Sequence, residues 1–276
     1  MFSLLSSHHM NFPSFLIVVP TLDSHHLLPR LLSSLQRQIY PQWRLIFIDG
    51  PSGLSHRNWL IQCCIDEPRC SWVSQSSDHP GIFGAMNQGF VFARPEEWML
   101  FWGSDDCAAS STVLADLADV VGTAAINNNV PDLFVSRGRY MDAVSGSLLR
   151  FTSFKSRGVL DTVMYRRALL FGSTPPHQAT LFGPGARRRL SCYSSNFSLS
   201  ADLDYFLRLS RQPELCVQCL DLVLVHMADG GVSGQQTQRR VQEVRRAYCS
   251  AFGWYWWFPF LMRYLRRVSS VLNMYF

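Results

Sequence analysis

The chain has 276 residues, of which 47% are apolar and 16% charged, and its formal net charge is +5. That length suits one sizeable domain with a modest appendage, and the apolar share excludes a disordered chain. The positive surplus is confined to the C-terminal end, where seven arginines between Arg239 and Arg267 face one acid, Glu243; a basic segment beside aromatic residues points to an anionic membrane surface rather than to nucleic acid.

Eight cysteines are scattered without the paired spacing of a zinc site, and they read as small buried hydrophobes in a reducing compartment. No run reaches the roughly 18 apolar residues that cross a bilayer. Met1–Met10 also lacks the basic-then-apolar pattern of a signal peptide. The expectation is a cytoplasmic protein, on the inner face of the membrane if its tail meets lipid.

Residues 1–13 read as an N-terminal tail. Phe15–Val19 is a short apolar run of the kind buried in a parallel sheet, closed by Pro20 and Thr21. Leu27, Leu28, Leu31, Leu32 and Leu35 then mark one helical face up to about Gln38. Trp43–Ile48 predicts a second strand ending at Asp49-Gly50, followed by a helix from Ser55 to Cys64 and a third strand at Ser71–Val73. A helix over Ile82–Ala93 leads to a fourth strand, Trp98–Trp102, which ends at Gly103-Ser104-Asp105-Asp106. Ser110–Val121 is the next helix, capped by Ser110 or Ser111. Such alternation implies an α/β, Rossmann-like, mainly parallel sheet flanked by helices, with ligands beyond the strands' carboxyl ends. Polar clusters follow strands one, two and four, so they are expected to converge on one rim.

The second half is less regular. Strands are expected over Asp132–Arg137 and Arg139–Tyr140, with a turn at Ser145-Gly146 and a helix over Asp161–Leu170. Ala201–Arg211 fits an amphipathic helix, Leu215–Val225 a strand, and His226–Gly234 a loop. From Gln235 a basic helix leads into Trp254-Tyr255-Trp256-Trp257-Phe258-Pro259, giving a helical extension over 235–276.

Asp105 and Asp106 carry the sharpest chemistry. Adjacent carboxylates at a strand end repel each other, and a hard divalent cation such as Mg²⁺ or Mn²⁺ relieves that repulsion while leaving positions for substrate phosphates. Taken alone, the pair reads more readily as a solvated acidic turn that caps the next helix.

The motifs between Phe15 and Ser233 decide between these. Val18-Val-Pro-Thr-Leu-Asp23, Ile46-Phe-Ile-Asp-Gly-Pro-Ser52, Asp78-His-Pro-Gly-Ile-Phe-Gly-Ala-Met-Asn-Gln-Gly89 and Phe101-Trp-Gly-Ser-Asp-Asp106 are followed by Pro176-His-Gln178, Ala201-Asp-Leu-Asp-Tyr205 and Asp229-Gly-Gly-Val-Ser233. In this order they resemble the family-2 GT-A glycosyltransferases, inverting enzymes of polysaccharide and lipopolysaccharide assembly. The resemblance implies one GT-A domain over 14–234, with a nucleotide-sugar half over about 14–125 and an acceptor half over about 126–234. It implies a nucleoside-diphosphate-sugar donor, a glycan or lipid-linked glycan acceptor, and Mn²⁺ or Mg²⁺. Pro20, Thr21 and Asp49 would border the nucleobase and ribose. Asp78 and Asn87 would line the donor pocket, joined by Ser104, and Asp105 would hydrogen-bond the ribose or sugar. Asp106 would ligate the metal, with His226 as a second candidate ligand. Asp202 would be the general base, with Asp204 as its rival, and His177 and Gln178 would face the acceptor.

The chain departs from the family pattern at Gly84, where Asp is frequent, and at Gln88, where Lys is frequent. Pro51 stands where Gly or Ser is common, and Ala201 where Glu is common. A nucleotidyltransferase is the alternative enzyme, although the segment after the first strand lacks its Gly-rich basic loop. A sugar-nucleotide-binding protein without catalysis is the other alternative. The aromatic, arginine-rich tail is read as a peripheral membrane contact or as a helix packed on the domain.

Overall fold

In the computed structural model, residues 12–142, 145–152, 154, 156–229 and 237–272 are described. β1 (Phe15–Thr21) lies at the centre of the first half because its first five residues are fully buried, which leaves no solvent-facing side. α1 (Leu28–Gln36) follows, with Leu28, Leu31 and Leu35 buried along one face. β2 (Trp43–Asp49), α2 (Leu54–Asp66), β3 (Cys70–Ser74), α3 (Ile82–Val91) and β4 (Trp98–Phe101) complete the alternation. β1 pairs in parallel with both β2 and β4, and β2 pairs in parallel with β3.

The second half adds β5 (Cys107–Ala108), α4 (Val113–Ile126), β6 (Leu133–Met141), β7 (Leu148–Phe151), β8 (Gly158–Leu160) and α5 (Thr162–Leu170). A 3₁₀ turn at His177–Ala179 leads into β9 (Thr180–Phe182), α6 (Pro184–Arg189), α7 (Ala201–Leu209) and β10 (Val217–Ala228). α8 (Thr237–Phe252) and α9 (Trp257–Leu272) close the described chain. The sheet order is β3-β2-β1-β4-β9-β6-β10-β5, with β7 on β6 and β8 on β10. It is mixed because β9 runs antiparallel to both β4 and β6.

The strand period of two divides the core. Leu16 and Val18 of β1 pack with Ala85 and Met86 of α3, Phe206 of α7 and Tyr248 of α8. Phe15, Ile17 and Val19 join Leu28 and Leu31 of α1 and Leu117 of α4 on the other side. α3 approaches β1 closely enough that a Cβ at Gly89 would lie 2.5 Å from Val18 Cγ1, so this contact needs glycine.

Three expectations change. The two strands foreseen over Asp132–Arg137 and Arg139–Tyr140 are one strand, β6, because Gly138 stays in register with Val225 and leaves room for Met227. β10 runs on to Ala228, so His226 lies in a strand and not in a loop. The helical extension divides: α8 buries Val244, Ala247, Tyr248 and Ala251 in the core of the domain, so the packed unit reaches past 234. α9 docks more lightly, with Arg263 donating to Thr174 Oγ1 and Arg266 to the Phe171 carbonyl. Among the described residues no helix is long and apolar enough to cross a membrane.

Candidate active site

The carboxyl ends of β1, β2 and β4 meet through side chains. Thr21 and Asp49 are register partners across β1 and β2, and Thr21 Oγ1 donates to Asp49 Oδ1 at 3.1 Å. Ser52 Oγ donates to the same oxygen at 2.6 Å. Ser24 and Ser104 share a 2.8 Å hydrogen bond, which ties the segment after β1 to the turn after β4, and Ser104 Oγ also reaches the Pro20 carbonyl at 3.3 Å. Pro20, Thr21, Asp49, Ser104 and Asp105 are therefore one constellation on one rim.

Asp49 is buried, and its Oδ2 accepts no hydrogen bond, with Arg57 Nε 3.8 Å away. His56 Nε2 lies 3.1 Å from Asp49 Oδ1. Burial lowers the His56 pKa and the Asp49 carboxylate only partly opposes this, so the ring is neutral at pH 7.

At the end of β4, Asp106 Oδ2 accepts the Gly103 N–H at 2.6 Å. A Cβ at Gly103 would lie 2.7 Å from Asp105 Oδ1 and 3.4 Å from Asp106 Oδ2, so both carboxylates converge on space that only glycine leaves open. Burial first, and then the Asp105 charge, push the Asp106 carboxyl well above the usual carboxylate range. A cation would offset both effects. Among the described residues no cluster of three His, Cys, Asp or Glu side chains suited to a metal occurs. As neighbouring oxygen donors whose mutual repulsion a cation would relieve, Asp105 and Asp106 fit the kind of site, one or two carboxylates plus substrate phosphates, that Mg²⁺ or Mn²⁺ takes.

His226 does not join them. It pairs with Cys107 across β5 and β10, and its ring lines a cavity with Arg30 and Arg37 that Asp106 does not line. Burial, Arg139 and Arg30 lower its pKa, and those two cations would oppose a divalent ion there. The expectation that His226 helps to hold the metal is corrected on this ground.

Asp78 and Asn87 lie on the loop after β3 and on α3, and the loop is tied to the end of β2 by Gln75 N, which donates to the Asp49 carbonyl at 2.6 Å. Asp78 is exposed on the loop before α3. That loop is held by Gln75, whose Nε2 donates to the His79 and Gly81 carbonyls. A Cβ at Gly84 would meet the His79 oxygen at 1.9 Å, so the loop occupies the space that the family's frequent Asp would take. Both ends of the Asn87 amide are consumed by the backbone of Tyr193: Nδ2 donates to its carbonyl at 3.0 Å and Oδ1 accepts its N–H at 2.7 Å. Asn87 is a clamp between the two halves of the domain.

The acceptor-side residues gather beside β4. Trp102 Nε1 donates to the Gln178 carbonyl at 3.0 Å, and the His177 ring lies 5.5 Å from that of Phe101. His177 Nε2 is 2.7 Å from the Tyr193 hydroxyl, and burial lowers its pKa to about 4. The charge of Asp202 bears on both His177 and Tyr193, which brings the first turn of α7 to this cluster. Asp204 is buried and clamped by Arg208, whose Nε donates to Oδ2 at 2.7 Å. Asp202 is half-buried and makes no such pair among the described residues.

Glu243 is the residue that sequence reading missed. Its buried carboxylate accepts the N–H groups of Ser198, Leu199 and Ser200 just before α7. A lone acid among seven arginines was the available signal. Of the Asp229–Ser233 motif only Asp229 lies within the described residues; it is exposed and pairs with Arg150 at 3.0 Å.

Comparison with known proteins accords with this geometry. Residues 16–134 match the family described as Glycosyl transferase family 2. Proteins named PGL/p-HBAD biosynthesis glycosyltransferase from Mycobacterium tuberculosis and Mycobacterium bovis are 28% identical over 224 residues, which is 80% of this chain and 79% of theirs. Among solved structures, S. aureus TarS 1–349 superposes with a TM-score of 0.62 at 15% identity, covering 87% of this chain and 66% of that one. The mannosyltransferase PcManGT from Pyrobaculum calidifontis, in complex with GDP-Man and Mn2+, gives 0.58 at 14% identity, over 87% of this chain and 64% of that one. The family match favours glycosyl transfer over the nucleotidyltransferase alternative: residues 16–134 are similar to Glycosyl transferase family 2, and the chain has the fold of the GT-A glycosyltransferases.

Proposed function

We propose that the enzyme transfers one sugar, with inversion, from a nucleoside-diphosphate-sugar to a hydroxyl of a glycan or lipid-linked glycan, assisted by Mn²⁺ or Mg²⁺. The observation that carries this reading is the convergence of Asp105 and Asp106 over Gly103, on the rim that also holds Asp49. Thr21 and Asp49, held together by their hydrogen bond at the ends of β1 and β2, border the nucleoside. Asp106 would hold the cation, which would supply the charge that offsets the departing diphosphate, and Asp105 beside it would hydrogen-bond the ribose or sugar. Asp202 takes the proton of the acceptor hydroxyl on the opposite face of the sugar. Asp204 is unsuited to this because Arg208 occupies it. His177 stays neutral and, with Tyr193 and Gln178, shapes the acceptor side.

Peripheral contact with the inner membrane face belongs to the same reading, and it would deliver a lipid-linked acceptor. It rests on the exposed Trp254, Tyr255 and Trp257, the last two beside Arg166 and Arg167. The test of the chemistry is Mn²⁺-dependent turnover of UDP- and GDP-sugars by the wild type and by Asp106→Ala and Asp202→Ala. Both variants are expected to lose turnover, and wild-type rates in both would refute the assigned roles.

A further inference from the structure

A second polar site lies beside the metal turn. α1 presents Arg30, Ser34 and Arg37 along one face, at spacings of four and three residues that stack side chains on successive turns. With Cys107, the segment that follows it, and His226 of β10, they enclose a cavity of about 280 Å³. The lining contains two guanidiniums, an imidazole and three serines, and no acid. Ser34 also fixes the wall, since its Oγ accepts the Ala108 N–H at 3.0 Å.

The positive groups here lack compensation. Neither Arg30 nor Arg37 forms an ion pair among the described residues; Arg37 donates to Ser33 Oγ at 3.2 Å, and Arg30 reaches the Cys107 thiol. His226 Nε2 is buried without a hydrogen-bond partner. Arg139, register partner of His226 across β6 and β10, has a buried Nε that also lacks one. An anion here would pair with the guanidiniums and offer acceptors to the buried His226 and Arg139 nitrogens that lack them. Arginines give a tetrahedral oxyanion two-pronged donors, and the serines add hydroxyls.

We infer that the cavity between α1, β5 and β10 is an anion site, separate from the donor site, for a phosphate or phosphomonoester group. Its volume suits a small ligand or a headgroup, being at the lower limit of ordinary ligand pockets. The wall residue Cys107 directly follows Asp106, so the occupant sits one residue from the metal carboxylate.

Isothermal titration of the full chain with sodium phosphate, in chloride buffer containing saturating Mn²⁺ and UDP or GDP, tests this. Saturable binding is expected, and Arg30→Ala and Arg37→Ala should each weaken it by about tenfold or more, the loss of one charge-assisted contact. Arg37→Lys should retain part of it. Both arginines are exposed, so melting temperatures near wild type will show that the variants are folded. A parallel titration with soluble dihexanoyl phosphatidic acid separates the sources: tighter binding than phosphate assigns a lipid headgroup, and equal or weaker binding assigns a free or soluble phosphate. Absence of saturable binding to either probe, equal affinity in the alanine variants, or competition by the nucleotide would overturn the inference. Because the readout is binding with the donor site filled, it stands apart from the test of transfer.

Discussion

Glu243 Oε2 accepts the backbone N–H of Ser200 at 2.9 Å, two residues before Asp202. The same carboxylate takes the N–H groups of Ser198 and Leu199, so α8 fixes the start of the helix that carries the proposed base. Removing it strands the buried Ser200 N–H, at a cost of roughly 1–3 kcal/mol, and leaves the Ser198 and Leu199 N–H groups to water. Glu243→Ala should therefore lower the melting temperature and reduce kcat, while Glu243→Gln, which keeps one oxygen, should recover part of both. Thermal melts and donor-saturated kinetics check this; a wild-type melting temperature in the alanine variant would remove Glu243 from the argument.

Asp202 and Asp204 share a helical turn yet have different surroundings. Arg208 Nε holds Asp204 at 2.7 Å, and burial raises the Asp204 pKa against that pairing. Asp202 is half-buried beside His177 and Tyr193. Asp202→Asn should cost roughly 10²–10⁴-fold in kcat, the usual span for a general base, with donor affinity kept. Asp204→Asn should instead lower stability and keep most of the turnover. Steady-state kinetics beside thermal melts separate the two, and the reverse pattern would exchange their roles.

How much of this was legible follows from the range of each interaction. β1, β2 and β4 were readable because their buried apolar runs carry the signal locally, and Asp49 ends β2 while Asp106 closes the turn after β4. β5, with two residues, and β9, with three, have too little sequence to show a period, and they exist because distant strands pair with them. The clamp of Asn87 on Tyr193 spans 106 residues, and the Glu243 contact with Ser200 spans 43; no local pattern encodes either. The same distance effect misassigned His226, whose neighbours Arg30 and Arg139 come from other parts of the chain.

The raised pKa of Asp106 has a consequence for stability. Burial and Asp105 penalise its charged form, so without a cation the contribution of Asp106 to stability is complete below the ordinary carboxyl pKa and is lost as pH rises through it towards the shifted value. Asp106→Asn keeps an oxygen for the Gly103 N–H and removes the charge. In metal-free buffer at pH 7 this variant should melt above the wild type. Adding Mn²⁺ with a nucleoside diphosphate should stabilise the wild type and leave the variant unmoved. Melting curves with and without Mn²⁺ read both effects, and equal Mn²⁺ responses would refute the metal role.

His177 runs in the opposite sense. Its pKa is lowered to about 4 by burial, so the neutral ring is favoured in the fold. The resulting stability is complete above the ordinary histidine pKa, and is lost as pH falls from there through about 4. His177→Gln should flatten the acid side of the stability profile over that window. It should leave the pH dependence of kcat between 6 and 9 in place, because the neutral ring does not titrate there. A kinetic limb that disappears in the variant would make His177 a proton carrier.

The C-terminal aromatics supply the last expectation. Trp254 is 72% exposed and Trp257 51%, and Tyr255, Leu261 and Leu265 lie open beside them. Trp257 and Tyr255 also wall an apolar groove of about 520 Å³ whose rim carries Arg166 and Arg167. Indole rings beside guanidiniums favour the headgroup layer of an anionic bilayer, and each basic residue near that surface adds about 1 kcal/mol. Co-sedimentation with vesicles containing phosphatidylglycerol should therefore exceed that with neutral phosphatidylcholine vesicles, and should fall as salt rises. Trp254→Ala with Trp257→Ala should reduce it several-fold and leave the melting temperature near wild type, because neither ring is in the core. Equal sedimentation of wild type and double variant would mean that this surface is not what meets lipid.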